Sequence, residues 1–148
     1  MTLTSKLFKD GEFIPSAYTC DGEGAPVTLE VADVPSNAKS LALIVNDPDA
    51  PNGNFVHWTV WNMAARTREI VGDLLPENSV EGKNSAGSLG WTSPCPPSGM
   101  HHYHFTLYAL DTVLALPDES TDADLHKAMD SHVIDSSVLI GLYQKNSQ

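Results

Sequence analysis

Residues 41–51 read LALIVNDPDAP, an apolar run that ends without a spacer in two aspartates held between prolines. Leu41 to Asn46 is long enough for a strand covered on both faces and too short for an independent helix. It is therefore expected to form a central strand, with Asp47, Pro48, Asp49, Ala50 and Pro51 displayed where it ends. Prolines fix φ, so the two carboxylates would be held in a set relation, although Asp and Pro are also ordinary turn formers. Outward from this stretch, Phe55 to Asn62 (FVHWTVWN) is rich in sheet formers. Simple alternation puts Phe55, His57, Thr59 and Trp61 on one face and Val56, Trp58 and Val60 on the other. His101 to Leu110 (HHYHFTLYAL) alternates in the same way, with His101, Tyr103, Phe105, Leu107 and Ala109 opposed to His102, His104, Thr106, Tyr108 and Leu110.

The remaining chain supports a mostly β fold. Its 10 glycines and 10 prolines are spread between short apolar stretches as turn punctuation. Asp10-Gly11, between Leu7-Phe8 and Phe13-Ile14, predicts an N-terminal hairpin. Val27 to Val31 reads as a short strand, and Val133 to Leu142 as a last one with Val138, Ile140 and Leu142 facing one way. The Pro- and Gly-rich stretch from Leu75 to Gly99 predicts an ordered surface loop of a length that is usually functional. One helix is expected, started by Thr121 and Asp124 and continued by Leu125, Ala128, Met129 and His132. At 148 residues, the chain fits a single domain spanning 1–148.

Eight Lys and Arg against 19 Asp and Glu give a net charge of −11. Such a surface repels nucleic acids and anionic membranes. The longest apolar stretch, Leu41 to Val45, is far shorter than the roughly 20 residues of a membrane-spanning helix. No secretory signal pattern opens the sequence, so the expected location is the cytoplasm, or the periplasm for a chain from which a signal has been removed. Cys20 and Cys95 stand 75 residues apart, and in a reducing compartment two free thiols are expected; a bridge stays open if their loops meet.

Polar chemistry gathers at the strand ends. Beside Asp47 and Asp49 stand His57 and the stretch Pro94 to His104 (PCPPSGMHHYH), which holds half of the six histidines. A strand histidine is ordinarily a packed residue with a satisfied hydrogen bond. His102 and His104, with His57 and a carboxylate, offer the residue types of a transition-metal site and hence of a metal-dependent hydrolase. The other reading is an anion pocket of imidazoles, a tyrosine hydroxyl and loop N–H groups. No G-x-S-x-G elbow and no glycine-rich nucleotide loop is present, and nothing in the sequence activates Cys95 or Ser98 as a nucleophile.

Asp47 to Pro51, Val56-His57-Trp58 with Trp61-Asn62-Met63, Pro94 to Gly99 leading into His101 and Tyr103, and Phe105 to Asp111 occur together and in this order. With Tyr18 to Gly22, they make the sequence resemble the phosphatidylethanolamine-binding protein family, in its short bacterial and archaeal branch. The resemblance spans essentially the whole chain. It implies a large central antiparallel sheet packed with a smaller sheet and a few short helices. It also implies a non-enzymatic protein without cofactor, whose small cavity takes phosphate-like anions or a phosphoester head group. Asp47, Asp49, His57, Pro94, His101 and Tyr103 would line that cavity, and Pro48 is where the family's loops can hold a cis peptide. Inhibition of a protein kinase or serine protease and a homodimeric state are further implications. Two positions depart from the family pattern: His102 stands where arginine is usual, and Ala25 to Val31 replaces a proline-rich strand start that carries a tryptophan.

Overall fold

The computed structural model describes residues 1–145; the last three residues of the expected domain lie outside them. Nine strands and one α-helix follow in chain order: β1 (Thr2–Thr4), β2 (Glu12–Phe13), β3 (Leu29–Ala32), β4 (Ser40–Asp47), β5 (Phe55–Ala64), β6 (Glu69–Ile70), β7 (Val80–Glu81), β8 (Met100–Leu110), α1 (Asp122–Met129) and β9 (Val133–Gln144). A single 3₁₀ turn spans Ser16–Tyr18. Six strands form a large sheet in the order β2-β9-β8-β4-β5-β7, and three form a small sheet in the order β1-β3-β6. All pairings are antiparallel except β2 with β9. Both the mostly β class and the two-sheet architecture agree with expectation. No helix among the described residues is long and apolar enough to cross a membrane.

The apolar run of β4 lies between β8 and β5 in the middle of the large sheet. On one face, Leu41, Leu43 and Val45 of β4 join Phe105, Leu107 and Ala109 of β8 and meet Leu3, Leu29, Val31 and Ile70 of the small sheet. On the other, Ala42 and Ile44 pack with Trp61, Leu110 and the helix residues Leu125 and Met129. A strand with both faces covered must be apolar throughout, which is why β4 shows no alternation. The helix begins as predicted: the Thr121 hydroxyl accepts from the Asp124 N–H, and the Asp124 carboxylate accepts from the Thr121 N–H. It ends at Met129, so His132 lies in the following turn, where its Nδ1 meets Asp111 at 2.8 Å.

The faces of β5 differ from the alternation read in the sequence. Val45 pairs with Trp58 and Asn46 with Val56, so His57 is an extra residue, a β-bulge. Phe55, His57, Trp58 and Val60 consequently serve the inner face, while Trp61 packs on the helix side. A second register shift follows between Leu41 and Leu43, and Asn62 there adopts a positive φ of 59°. The Asn62 amide locks that bend, donating to the Leu114 carbonyl and accepting from the Leu114 N–H at 2.9 and 2.8 Å. Nothing in FVHWTVWN marks where a register shifts, because all its residues suit a strand.

Two further expectations are corrected. Asp10-Gly11 does turn the chain, with Gly11 at φ 81° and the Glu12 N–H bonded to the Lys9 carbonyl, but no hairpin results. Phe13 pairs instead with Leu142 of β9, and Asp10 accepts from the Ile140 N–H. The long last strand offers a better ladder than the short segment before the turn. Cys20 and Cys95 are not free thiols: they form a disulfide, with Cα atoms 5.3 Å apart. The fold brings their loops together, and the Cys20 N–H also bonds to the Pro94 carbonyl. All peptide bonds among the described residues are trans, that of Pro48 included.

Candidate functional site

The bulge, the end of β4 and the start of β8 converge at one end of the large sheet. There Asp47, His57, His101 and Tyr103 line a cavity of about 400 Å³, closed on the far side by the 92–97 segment. Asp47 is buried and both its oxygens are engaged: Oδ1 accepts from the Asp49 N–H at 2.8 Å and Oδ2 faces His101 Nδ1 at 2.6 Å. The second nitrogen of His101 faces the Ser98 carbonyl at 3.1 Å. The imidazole is thus held at both ends, and Asp47 acts as its orienter.

His57 is held differently. Its Nδ1 lies 2.8 Å from the Thr92 carbonyl, which can only accept, so Nδ1 carries the proton. Burial pushes the His57 imidazole below the ordinary histidine range, against the opposing pull of the Thr92 carbonyl and of Asp47. The ring is therefore neutral at pH 7, with a lone pair on Nε2. Tyr103 stands edge-on to it, ring centroids 5.3 Å apart, and stacks beside His101 at 6.4 Å. Its hydroxyl is buried and has no partner among the described residues. Burial, followed by the charges of Asp47 and Asp49, raises the Tyr103 phenol well above its usual range, so it remains a donor.

Two of the residues named from the sequence stand outside this cavity. Asp49 lies two positions beyond Asp47, but β4 ends at Asp47 and the chain turns outward. Its carboxylate accepts from the N–H of His102 at 2.8 Å and meets His102 Nδ1 at 2.7 Å on the exposed side. Those hydrogen bonds, the side-chain one first, hold the Asp49 carboxyl below the usual carboxylate range. His102, where the resemblance leads one to expect arginine, thus ties the 47–51 turn to β8 and does not face the cavity. Pro94 is buried beneath the wall, its carbonyl occupied by Cys20. Sequence reasoning missed Phe55, Thr92 and Ser93 among the lining residues, and Ala50, Pro51 and residues 95–97 line the cavity although only their motifs, not their roles, were named. Phe55 and His57 share a wall as alternation expects, their centroids 4.7 Å apart, and the bulge at His57 is what brings Trp58 and Val60 to the same side.

The 92–97 wall is anchored from the N-terminal segment. The disulfide joins it to Cys20, Trp91 Nε1 donates to the Gly24 carbonyl at 2.9 Å, and the Tyr143 hydroxyl bonds to Asp21. The constellation expected for a metal-dependent hydrolase is not assembled. His57 is on the inner face of the sheet and His102 and His104 on the outer, and no group of three or more His, Cys, Asp or Glu among the described residues converges as metal ligands.

The sequence profile of the phosphatidylethanolamine-binding protein family matches residues 4–144. The chain belongs to that family. A UPF0098 protein of Methanothermobacter thermautotrophicus is 47% identical over 150 residues, covering 98% of this chain and 99% of the relative. Among solved structures, the phosphatidylethanolamine-binding protein homologue CT736 of Chlamydia trachomatis superposes with a TM-score of 0.93 at 41% identity, covering 98% of this chain and 97% of that one. Escherichia coli YbcL, described as a member of the mammalian phosphatidylethanolamine-binding protein family, gives 0.91 at 30% identity over 98% of both chains. Membership in the phosphatidylethanolamine-binding protein family supports a ligand-binding role of that type.

Proposed function

We infer that this protein binds a small phosphate-like anion or phosphoester head group in the cavity lined by Asp47, His57, His101 and Tyr103. The observation that carries the reading is the Tyr103 hydroxyl, a buried donor with no partner among the described residues. Such a group costs about 1–3 kcal/mol unless something hydrogen-bonds to it, and an anionic oxygen in the cavity is a strong acceptor. Neighbouring groups agree: His101 is fixed by Asp47, and the apolar face of Phe55 and the prolines excludes water from one side. The long-range field of a chain with net charge −11 does not recruit an anion, so capture depends on local hydrogen bonding, the Tyr103 hydroxyl first.

Titration calorimetry with inorganic phosphate and phosphoethanolamine tests this reading. Binding to the wild type, with a loss of tenfold or more in Tyr103→Phe and His101→Ala, is the expected result. Equal binding in all three proteins, or none in the wild type, would remove the site.

A further inference from the structure

The polar groups around the cavity are not all open to a ligand, and the difference sets what the ligand must carry. Both oxygens of Asp47 and both nitrogens of His101 already have partners within the protein. Prolines 96 and 97 bring no N–H to the wall. The Ser93 hydroxyl can both donate and accept and imposes no sign. Among the ring side chains of the cavity this leaves a donor without a partner, the buried Tyr103 hydroxyl, and an acceptor, Nε2 of His57, whose other nitrogen is committed to the Thr92 carbonyl. An anion with acceptor oxygens alone satisfies Tyr103 and sets an oxygen against the His57 lone pair.

We propose that the cavity selects an anion carrying its own proton, as hydrogen phosphate does, over proton-free anions such as sulfate or a phosphodiester. This rests on the anion-binding reading above and narrows it. The P–O–H group donates to His57 Nε2 while a charged oxygen accepts from Tyr103. A proton-free anion can bind only if a proton is first placed on His57. That step is disfavoured by the burial of the ring and by neighbouring His101, and is favoured only in part by Asp47 and the Thr92 carbonyl. Tyr103 and Phe55, the rings packed against it, bring no charge. At pH 8, inorganic phosphate still carries a P–O–H, whereas sulfate and dimethyl phosphate carry none.

The test measures the affinities of inorganic phosphate, sulfate and dimethyl phosphate by calorimetry at pH 8 and pH 5.5. The wild type is expected to hold phosphate at least tenfold more tightly than either proton-free anion at pH 8, with the gap to sulfate narrowing at pH 5.5 as His57 takes a proton. In His57→Gln, whose amide can turn its NH₂ toward the ligand, the ratio is expected to fall toward one, with folding checked by thermal melting. Phosphate and sulfate bound equally at pH 8 would overturn the proposal and leave the anion site standing. No binding of any of the three would remove the anion site, and the proposal with it.

Discussion

Two Asp–His pairs, built from residues only one or two positions apart, stand on opposite sides of the large sheet. Asp47 meets His101 at 2.6 Å with side chains 5% and 7% exposed, and Asp49 meets His102 at 2.7 Å with side chains 41% and 45% exposed. The contact distances are nearly the same, and burial is what separates the roles. The inner pair is screened from water, so loss of one partner leaves a buried polar group unsatisfied. The outer pair exchanges partners with solvent at little cost. The inner pair organises a cavity, whereas the outer one fastens a turn.

The most direct way to break this contrast is to truncate each carboxylate. Asp47→Ala is expected to destabilise the fold by about 2–4 kcal/mol and abolish anion binding. Asp49→Ala is expected to cost about 0.2–1 kcal/mol and leave affinity within twofold, as read by urea unfolding and calorimetry. Costs within a few tenths of a kcal/mol of one another would show that burial does not separate the pairs.

The disulfide sharpens the contrast, because it anchors the wall above the inner pair only. In the chain-entropy account, a loop of this length contributes about 4 kcal/mol. Cys20→Ser with Cys95→Ser should therefore lower the unfolding free energy by about that amount and weaken anion binding. The Asp49–His102 contact should survive, as judged by an unchanged Asp49 titration in NMR.

A smaller effect concerns pH. His57 is less basic in the native state than in the unfolded chain, so below about pH 6.5 the unfolded state binds protons that the native state refuses. Native stability should fall with decreasing pH there, by up to about 1.4 kcal/mol per unit, and His57→Gln should remove that component. Asp49 acts with the same sign in a lower window: its lowered carboxyl gives a contribution present at neutral pH and lost only as pH falls below about 4. An unaltered slope in His57→Gln between pH 5.5 and 7 would contradict the neutral, buried ring.

Residues whose environment repeats along the chain were legible in the sequence. β4 announced itself because both faces are covered, and β8 because its inward residues recur at every second position. The capping pair Thr121 and Asp124 is local and was read correctly. What depends on distant partners was not. The bulge at His57 arises from pairing with β4, and the Cys20–Cys95 bridge from loops 75 residues apart. Phe13 turned to β9 rather than back to Leu7-Phe8, a choice made by the last strand. Within the candidate site, motif resemblance grouped Asp47 with Asp49, and only the end of β4 between them shows that they face different sides.

The central claim is that the inner pair serves the ligand and the outer pair does not. Calorimetric titration of inorganic phosphate into wild type, His101→Ala and His102→Ala, each confirmed as folded, tests it most directly. A loss of tenfold or more in His101→Ala and affinity within twofold of wild type in His102→Ala are expected. Equal losses in the two variants, or a larger loss in His102→Ala, would contradict it.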